Sequence, residues 1–306
     1  MSKTINSKPY DIVVFGATGF TGALIARYLL QSPDHGLTWA IAGRNAQKLE
    51  NVKHALKEKL PHVAAETIDA VPVLVADSSD EAQLTQLVQQ TKVVLTVVGP
   101  YKLYGELLVK VCAENGVHYC DLAGEVMFIE AMIAKYEAAA VKSGAILVHC
   151  CGFESVPSDL TTFLLADAVK KTTNAPPSEI TLAFTGLKGE ASGGTLASVF
   201  TILETSTTAE LVKSRNPFVL TDDMTRAQKD ADGLTKKNSG SLAIKKEKDL
   251  GKWSSFFIGG SVNQTVVHRS NFLQQNAYGE KFVYRERGAM GGWFAQLGMT
   301  LGIMIG

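Results

Sequence analysis

Cysteine is scarce in this chain: four in 306 residues, at Cys112, Cys120, Cys150 and Cys151. No two of them form C-x-x-C, and no histidine spacing completes a zinc site, so a structural metal or a disulfide framework is not indicated. The thiols lie in or beside apolar segments and read as reduced thiols of a cytoplasmic protein. An excess of one charge is also missing. Thirty Lys and Arg balance thirty Asp and Glu, which leaves no basic field for nucleic acid. The first ten residues, MSKTINSKPY, lack an apolar core of signal-peptide length, so secretion is not expected. There is no internal repeat, no nucleophile elbow and no P-loop. The Tyr-x-x-x-Lys pair of short-chain dehydrogenases is absent too, since Tyr136 is followed four residues later by Ala140.

What is present is a soluble-protein composition, 46% hydrophobic and 20% charged, in a chain long enough for two domains. Its most informative stretch is DIVVFGATGFTG, Asp11 to Gly22. An apolar run over 12–15 is broken by Gly16, glycines recur at Gly19 and Gly22, and an amphipathic segment begins at Ala23. That order is strand, glycine turn, helix, the setting of a dinucleotide-binding fingerprint. Gly16 makes the tight turn, Gly19 lets backbone approach a pyrophosphate, and Gly22 lets the helix pack on the strand. The helix N-terminus offers unpaired N–H groups and the positive end of a dipole.

Strand and helix patterns alternate through the first half. Strands are expected at 12–15, 39–42, 73–76, 93–98, 119–122 and 146–149, with helices at 21–31, 79–90, 105–115 and 128–143. Repeated βα units of this kind imply an α/β fold, a Rossmann-type doubly wound parallel sheet of about six strands with ligands at the strand C-termini. A second α/β domain follows. The expected division is an NADP-binding domain over 1–155 and a substrate or closure domain over 156–306. In the latter, helices are expected at 157–170 and 192–211, strands at 179–185, 256–267 and 282–284, and a mobile polar excursion or lid at 213–252. Residues 288–306 carry Arg-free, uncharged sequence after Gly288, with Gly298, Gly302 and Gly306 four apart. They read as a buried helix or as a peripheral membrane contact. Their abrupt apolar end leads us to expect that the chain is incomplete at its C-terminus.

Several positions carry chemistry. Arg44 stands at the end of the second strand, where an NAD enzyme has Asp or Glu, and a guanidinium there suits the 2′-phosphate of NADP(H). Lys48, one turn on, adds charge. Asp77 sits either by the adenine ring or as a cap for the next helix. Gly99 and Pro100 end the fourth strand and aim a loop over the cofactor, which brings the phenols of Tyr101 and Tyr104 to the nicotinamide side. Glu125 and Asp121 end the fifth strand on the same edge. Asp159 lies in the turn after the sixth, with Ser155 and Ser158 as helix-capping alternatives. Tyr101, Glu125 and Asp159 are the catalytic candidates.

Five blocks in order, GATGFTG at 16–22, AGRN at 42–45, GPYKLYGELLVKVC at 99–112, YCDLAGE at 119–125 and CGFESVPSDL at 151–160, resemble the saccharopine dehydrogenase-like oxidoreductases. The similarity is to the branch that contains trans-acting enoyl reductases and lipid-droplet-associated animal proteins, and it covers about residues 8–200. The resemblance implies NADP(H) held by Gly16, Ala17, Thr18, Gly19, Phe20 and Thr21, with Arg44 on the ribose phosphate and Gly99, Pro100 and Tyr101 on the nicotinamide side. It implies a second domain that closes over the substrate. The expected activity is NADPH-dependent hydride transfer to a C=C, C=N or C=O bond of a hydrophobic or acyl-type substrate. A cofactor-binding scaffold or lipid-associated interaction protein with little turnover is the alternative.

Overall fold

A computed structural model describes residues 8–32, 36–186, 193–240, 243–257, 259–292 and 295–297. The chain divides into two compact units, Met1–Cys151 with Ser192–Glu204, and Gly152–Ala191 with Thr205–Gly306.

The first unit runs β1 (Tyr10–Phe15), α1 (Phe20–Gln31), β2 (Trp39–Gly43), α2 (Ala46–Lys59), α3 (Ala65–Asp69), β3 (Val73–Val75), α4 (Glu81–Val88), β4 (Thr91–Thr96), α5 (Tyr101–Tyr104), α6 (Glu106–Asn115), β5 (His118–Asp121), α7 (Val126–Ser143) and β6 (Leu147–Val148). The strands form one six-stranded sheet in the order β3-β2-β1-β4-β5-β6. Every pairing is parallel, with Ile12 opposite Trp39 on one side and Val93 on the other. This is the doubly wound Rossmann arrangement, and the order reverses between β1 and β4, where ligands bind such sheets. Val13 and Val14 are fully buried, as a β-branched run covered by helices on both faces should be. The helix α2 was not evident from its charged sequence. Its buried stripe is Leu49, Lys53 and Leu56, and Lys53 enters the interior because its Nζ donates to the carbonyls of Asp69 (2.9 Å) and Val71 (3.1 Å).

The later elements are α8 (Val156–Thr173), β7 (Glu179–Phe184), α9 (Gly193–Thr205), α10 (Thr208–Lys213), α11 (Asp223–Ala231), α12 (Leu234–Asn238), β8 (Lys245–Glu247), β9 (Lys252–Phe256), α13 (Gly260–Leu273) and β10 (Val283–Gly288). The second unit's sheet has the order β7-β10-β9-β8. Within it β10 is parallel to β7 and antiparallel to β9.

Three expectations change here. The single helix over 192–211 is two helices, because Thr207 and Glu210 form a reciprocal capping box that restarts the chain. The polar stretch 213–252 is folded rather than an irregular excursion: it contains α11, α12 and β8, and it buries Phe218, Val219, Leu220 and Leu234. The run 256–267 is not a strand beyond Phe256. It becomes α13, whose buried residues are Gly260, Asn263, Gln264, Thr265, Val267, His268 and Asn271. Of the C-terminal stretch 288–306, residues 293–294 and 298–306 lie outside the described residues. Among the described residues no helix is long and apolar enough to cross a membrane.

His268 gives the second unit a pH dependence. It is 2% exposed, its ring lies 4.3 Å from that of Phe218, and Nε2 donates to Oδ1 of Asn238 at 2.9 Å. Burial, with Lys229 adding repulsion, pushes its pKa down to about 3. The folded form is therefore neutral while the unfolded chain protonates near pH 6.5. Stability from this site is complete above about pH 6.5 and is lost as pH falls towards 3. Urea denaturation at pH 7.5 and 5 should show a loss of about 2 kcal/mol assignable to it. His268→Gln should remove that share of the slope. An unchanged slope would mean that His268 does not titrate on unfolding.

Candidate nucleotide-binding site

The C-terminal edge of β1, β2 and β4 opens into a cleft of about 270 Å³ lined by Gly16, Thr18, Gly19, Arg44, Gly99 and Tyr104, together with Phe15, Gly43, Ala76, Ser78, Val97 and Val98. Its floor is the glycine turn. Gly16 has φ +93°, and a Cβ there would stand 2.8 Å from Cγ2 of Val98. Gly16 N and Ala17 N donate to Ala42 O at 2.9 and 3.3 Å, and Gly19 N returns to Gly16 O at 3.0 Å. Gly22 is where α1 crosses that turn: an added Cβ would fall 2.4 Å from Gly16 O and 2.7 Å from Ala17 Cα. Gly19 differs. Its Cβ would meet only Gly16 O, at 3.4 Å, so the protein's own packing does not require glycine there, and the residue lines the cleft. Gly19 is the N-cap of α1 with no side-chain cap, and no acidic residue stands in the first turn. The open N–H groups and dipole end are thus left for an anion.

The other sequence candidates fall in graded positions. Thr18 lines the cleft. Ala17 is fully buried and turns inward, whereas Phe20, which opens α1, is 72% exposed. Thr21 is half-buried on the same turn. Arg44 follows β2, is exposed, and lines the cleft. Lys48 is exposed one turn into α2, whose N-cap is Asn45. Asp77 lies between two cleft residues and folds back on its own chain, with Oδ1 accepting from Ser79 N (2.9 Å) and Ser79 Oγ (2.7 Å). Those bonds, and after them the Arg44 charge, hold its carboxyl below the usual range. The cap of α4 is Asp80, not Asp77 or Ser78.

Two catalytic candidates prove to be fixed to the scaffold. The Tyr101 hydroxyl donates to Thr96 O at 3.3 Å and accepts from Leu122 N at 3.1 Å. Burial pushes this phenol well above its usual range, and the Asp121 charge adds to the shift. Its hydroxyl proton is thus directed at a backbone carbonyl, over a distance longer than a usual O–H···O bond. Glu125, 3% exposed, accepts from Tyr101 N (2.8 Å) and Lys102 N (2.7 Å), the first two amides of α5, and from Ser198 Oγ (2.9 Å). Its carboxylate is the remote cap of α5 and fixes the loop that follows Gly99 and Pro100. Ser198 was not singled out in the sequence. It lies 73 positions from Glu125, and no local pattern marks it.

Asp121 is the other buried carboxylate of this edge. It accepts from Tyr119 Oη (2.8 Å), Ala123 N (2.9 Å) and Cys150 N (3.1 Å), and it pairs with His149 Nδ1 at 2.6 Å. Asp159 belongs to the second unit. Its Oδ2 accepts from Ser270 Oγ at 2.9 Å, its Oδ1 is buried without a partner, and burial raises its pKa. Ser155 is the N-cap residue of α8 but makes no side-chain capping hydrogen bond, and Ser158 lies within the helix. They donate instead to Asn263 Oδ1 (2.8 Å) and Glu286 Oε1 (2.5 Å). Among the described residues no group of acidic, His and Cys side chains could hold a metal.

A strand–glycine turn–helix unit at the switch point of a parallel sheet, an uncapped helix end and an arginine after β2 define a nucleotide-binding oxidoreductase domain. The profile of the saccharopine dehydrogenase NADP binding domain matches residues 12–148. A trans-acting enoyl reductase of Mycobacterium ulcerans is 35% identical over 296 residues, 94% of this chain and 67% of that protein. One of Mycobacterium leprae is 33% identical over 292 residues, 94% and 67% of the two chains. A lipid droplet localized protein of Caenorhabditis elegans is 43% identical over 152 residues, 49% of this chain and 35% of that one. The chain belongs to the saccharopine dehydrogenase-like family of oxidoreductases, and its cofactor is NADP(H).

Proposed function

We propose that this chain uses NADPH to reduce a polarised double bond, of the enoyl type, in an acyl or otherwise lipid-like substrate. The observation that carries the reading is the cleft itself, an anion-ready glycine turn with Arg44 on its rim, in a chain similar along 94% of its length to trans-acting enoyl reductases. The lipid droplet name of the worm relative supports the apolar character of the substrate.

In this reading Gly16, Ala17, Thr18, Gly19, Phe20, Thr21 and Gly22 hold the pyrophosphate through the turn and the start of α1. Arg44 takes the 2′-phosphate with its paired donors. Asp77 stands by the adenine, and Gly99, Pro100 and Tyr101 carry the nicotinamide-side loop. The bound cofactor supplies the hydride. The chain's own residues orient it and keep the site dry, with Glu125 and the Tyr101 hydroxyl acting as struts for the loop. The second unit, starting at Gly152, is assigned to the substrate, and any lipid contact to the stretch 288–306.

NADPH oxidation assayed against an enoyl thioester, a ketone and an imine tests this reading. Turnover of the enoyl thioester supports it, and turnover confined to either other substrate, or none, overturns it. For Arg44→Ala, removal of one charge-assisted pair should weaken NADPH binding by about 1.5–3 kcal/mol, roughly 10- to 150-fold, with NADH binding unchanged. Equal wild-type affinity for NADH and NADPH would remove Arg44 from the site.

A further inference from the structure

Helix α8 is amphipathic in the reverse sense. Its inner face packs against α13 and β7 and is polar. There Ser155, Ser158 and Asp159 bond to Asn263, Glu286 and Ser270, and Thr162 is buried beside them. Its outer face is apolar. Val156, Leu160, Phe163 and Leu164 recur at the i, i+4, i+7, i+8 spacing of one helical stripe. Phe153 extends the stripe before the first turn. All five side chains are exposed, Leu164 by 63% and Phe153 by 71%. A helix on the surface of a globular protein turns such a stripe inward. Charge marks the two ends of the stripe with opposite signs. Glu154 is exposed just before the helix, and Lys170 and Lys171 are exposed in its last turn, where Lys171 pairs with Asp167 at 2.7 Å.

We propose that the outer face of α8 is a homodimer interface, in which two copies of this chain pack α8 against α8, antiparallel, across a two-fold axis. Such an interface must be self-complementary, and the stripe is. An axis between Leu160 and Phe163 sets each Leu160 opposite the second copy's Phe163 and brings Glu154 within one turn of the second copy's Lys170. The apolar contact is central, and the opposite charges meet twice at its rim. The area fits as well. A standard interface buries about 800 Å² per partner, about 65% of it apolar in homodimers. The five side chains expose apolar surface on the order of 500 Å², at the upper end of what monomers leave open. A lipid surface fits the face less well. An interfacial helix carries Lys and Arg along its polar face, whereas in α8 they stand at one end only, and Glu154 and Asp167 place negative charge at either end of the stripe.

Sedimentation velocity of the full chain over a wide concentration series tests this. The wild type should form a dimer, and Leu160→Glu should raise its dissociation constant at least about 30-fold while NADPH binding is kept. Charge reversal at exposed positions, which leaves the core untouched, gives a second measurement. Glu154→Lys should weaken the dimer roughly tenfold, since each rim pair occurs twice, and adding Lys170→Glu should restore it. A wild type that stays monomeric, a dimer indifferent to Leu160→Glu, or a charge reversal that Lys170→Glu does not repair would overturn the proposal. A monomer that floats with phosphatidylcholine vesicles and is released from them by Leu160→Glu would overturn it too, and would make the face a lipid surface. None of these readouts depends on the reductase activity.

Discussion

Gly19→Val is expected to lose NADPH binding by more than about 100-fold, or roughly 2.7 kcal/mol, while the fold survives. The side chain has room within the protein, since the nearest atom to a new Cβ is Gly16 O at 3.4 Å. Valine is a poorer N-cap than glycine, which costs about 1 kcal/mol, so a small fall in melting temperature accompanies the loss. The contrast is Gly22→Val. There the Cβ would fall within 2.7 Å of two backbone atoms of the same turn, which cannot yield without parting α1 from β1. That variant should lose stability first and binding as a result. Calorimetric titration with NADPH beside thermal denaturation separates the two. A Gly19→Val protein that binds NADPH within about threefold of wild type would reduce the glycine to an ordinary turn residue.

Glu125→Ala should have the second large effect. It removes an acceptor from three donors at once, and two of them are backbone amides at the start of α5. Hydrogen bonds to a charged group contribute about 1.5–3 kcal/mol each. With partial rescue by water, a net loss of about 3 kcal/mol in denaturant unfolding is expected. The loop after Gly99 loses its anchor, so NADPH affinity and turnover should fall together. A catalytic acid would behave otherwise. Its removal would abolish one limb of the pH–rate profile and leave cofactor affinity intact. That second pattern would restore Glu125 to the chemistry.

The first unit was legible because its signals are local. Apolar β-branched strands, glycine turns and short loops announce a parallel sheet, and Arg44 is read from its place after the second strand. The second unit was less so, and α13 shows why. Its buried face is built largely from Asn263, Gln264, Thr265, His268 and Asn271; Thr265 donates to Val262 O within the helix, and the other four are satisfied by partners elsewhere in the chain. The helical period is therefore carried by polar residues, while Val262, Val266 and Val267 imitate a strand. Tyr101 and Glu125 were singled out from their place in the segments that follow β4 and β5. Their roles turn on hydrogen bonds to Leu122, Lys102 and Ser198 that only the folded chain assembles. By contrast, the break between α9 and α10 was readable: Thr207 and Glu210 carry the capping spacing in plain sequence.

The return of residues 192–204 to the first unit makes that unit discontinuous in the chain. A ribosome that has delivered all six strands of the sheet has not yet delivered the hydroxyl of Ser198 that completes the Glu125 cap. The nucleotide-binding half therefore finishes folding only after some forty residues of its neighbour, from Gly152 to Ala191, have also emerged. A fragment cut near residue 155 carries the whole sheet and lacks a strut of its own cofactor loop.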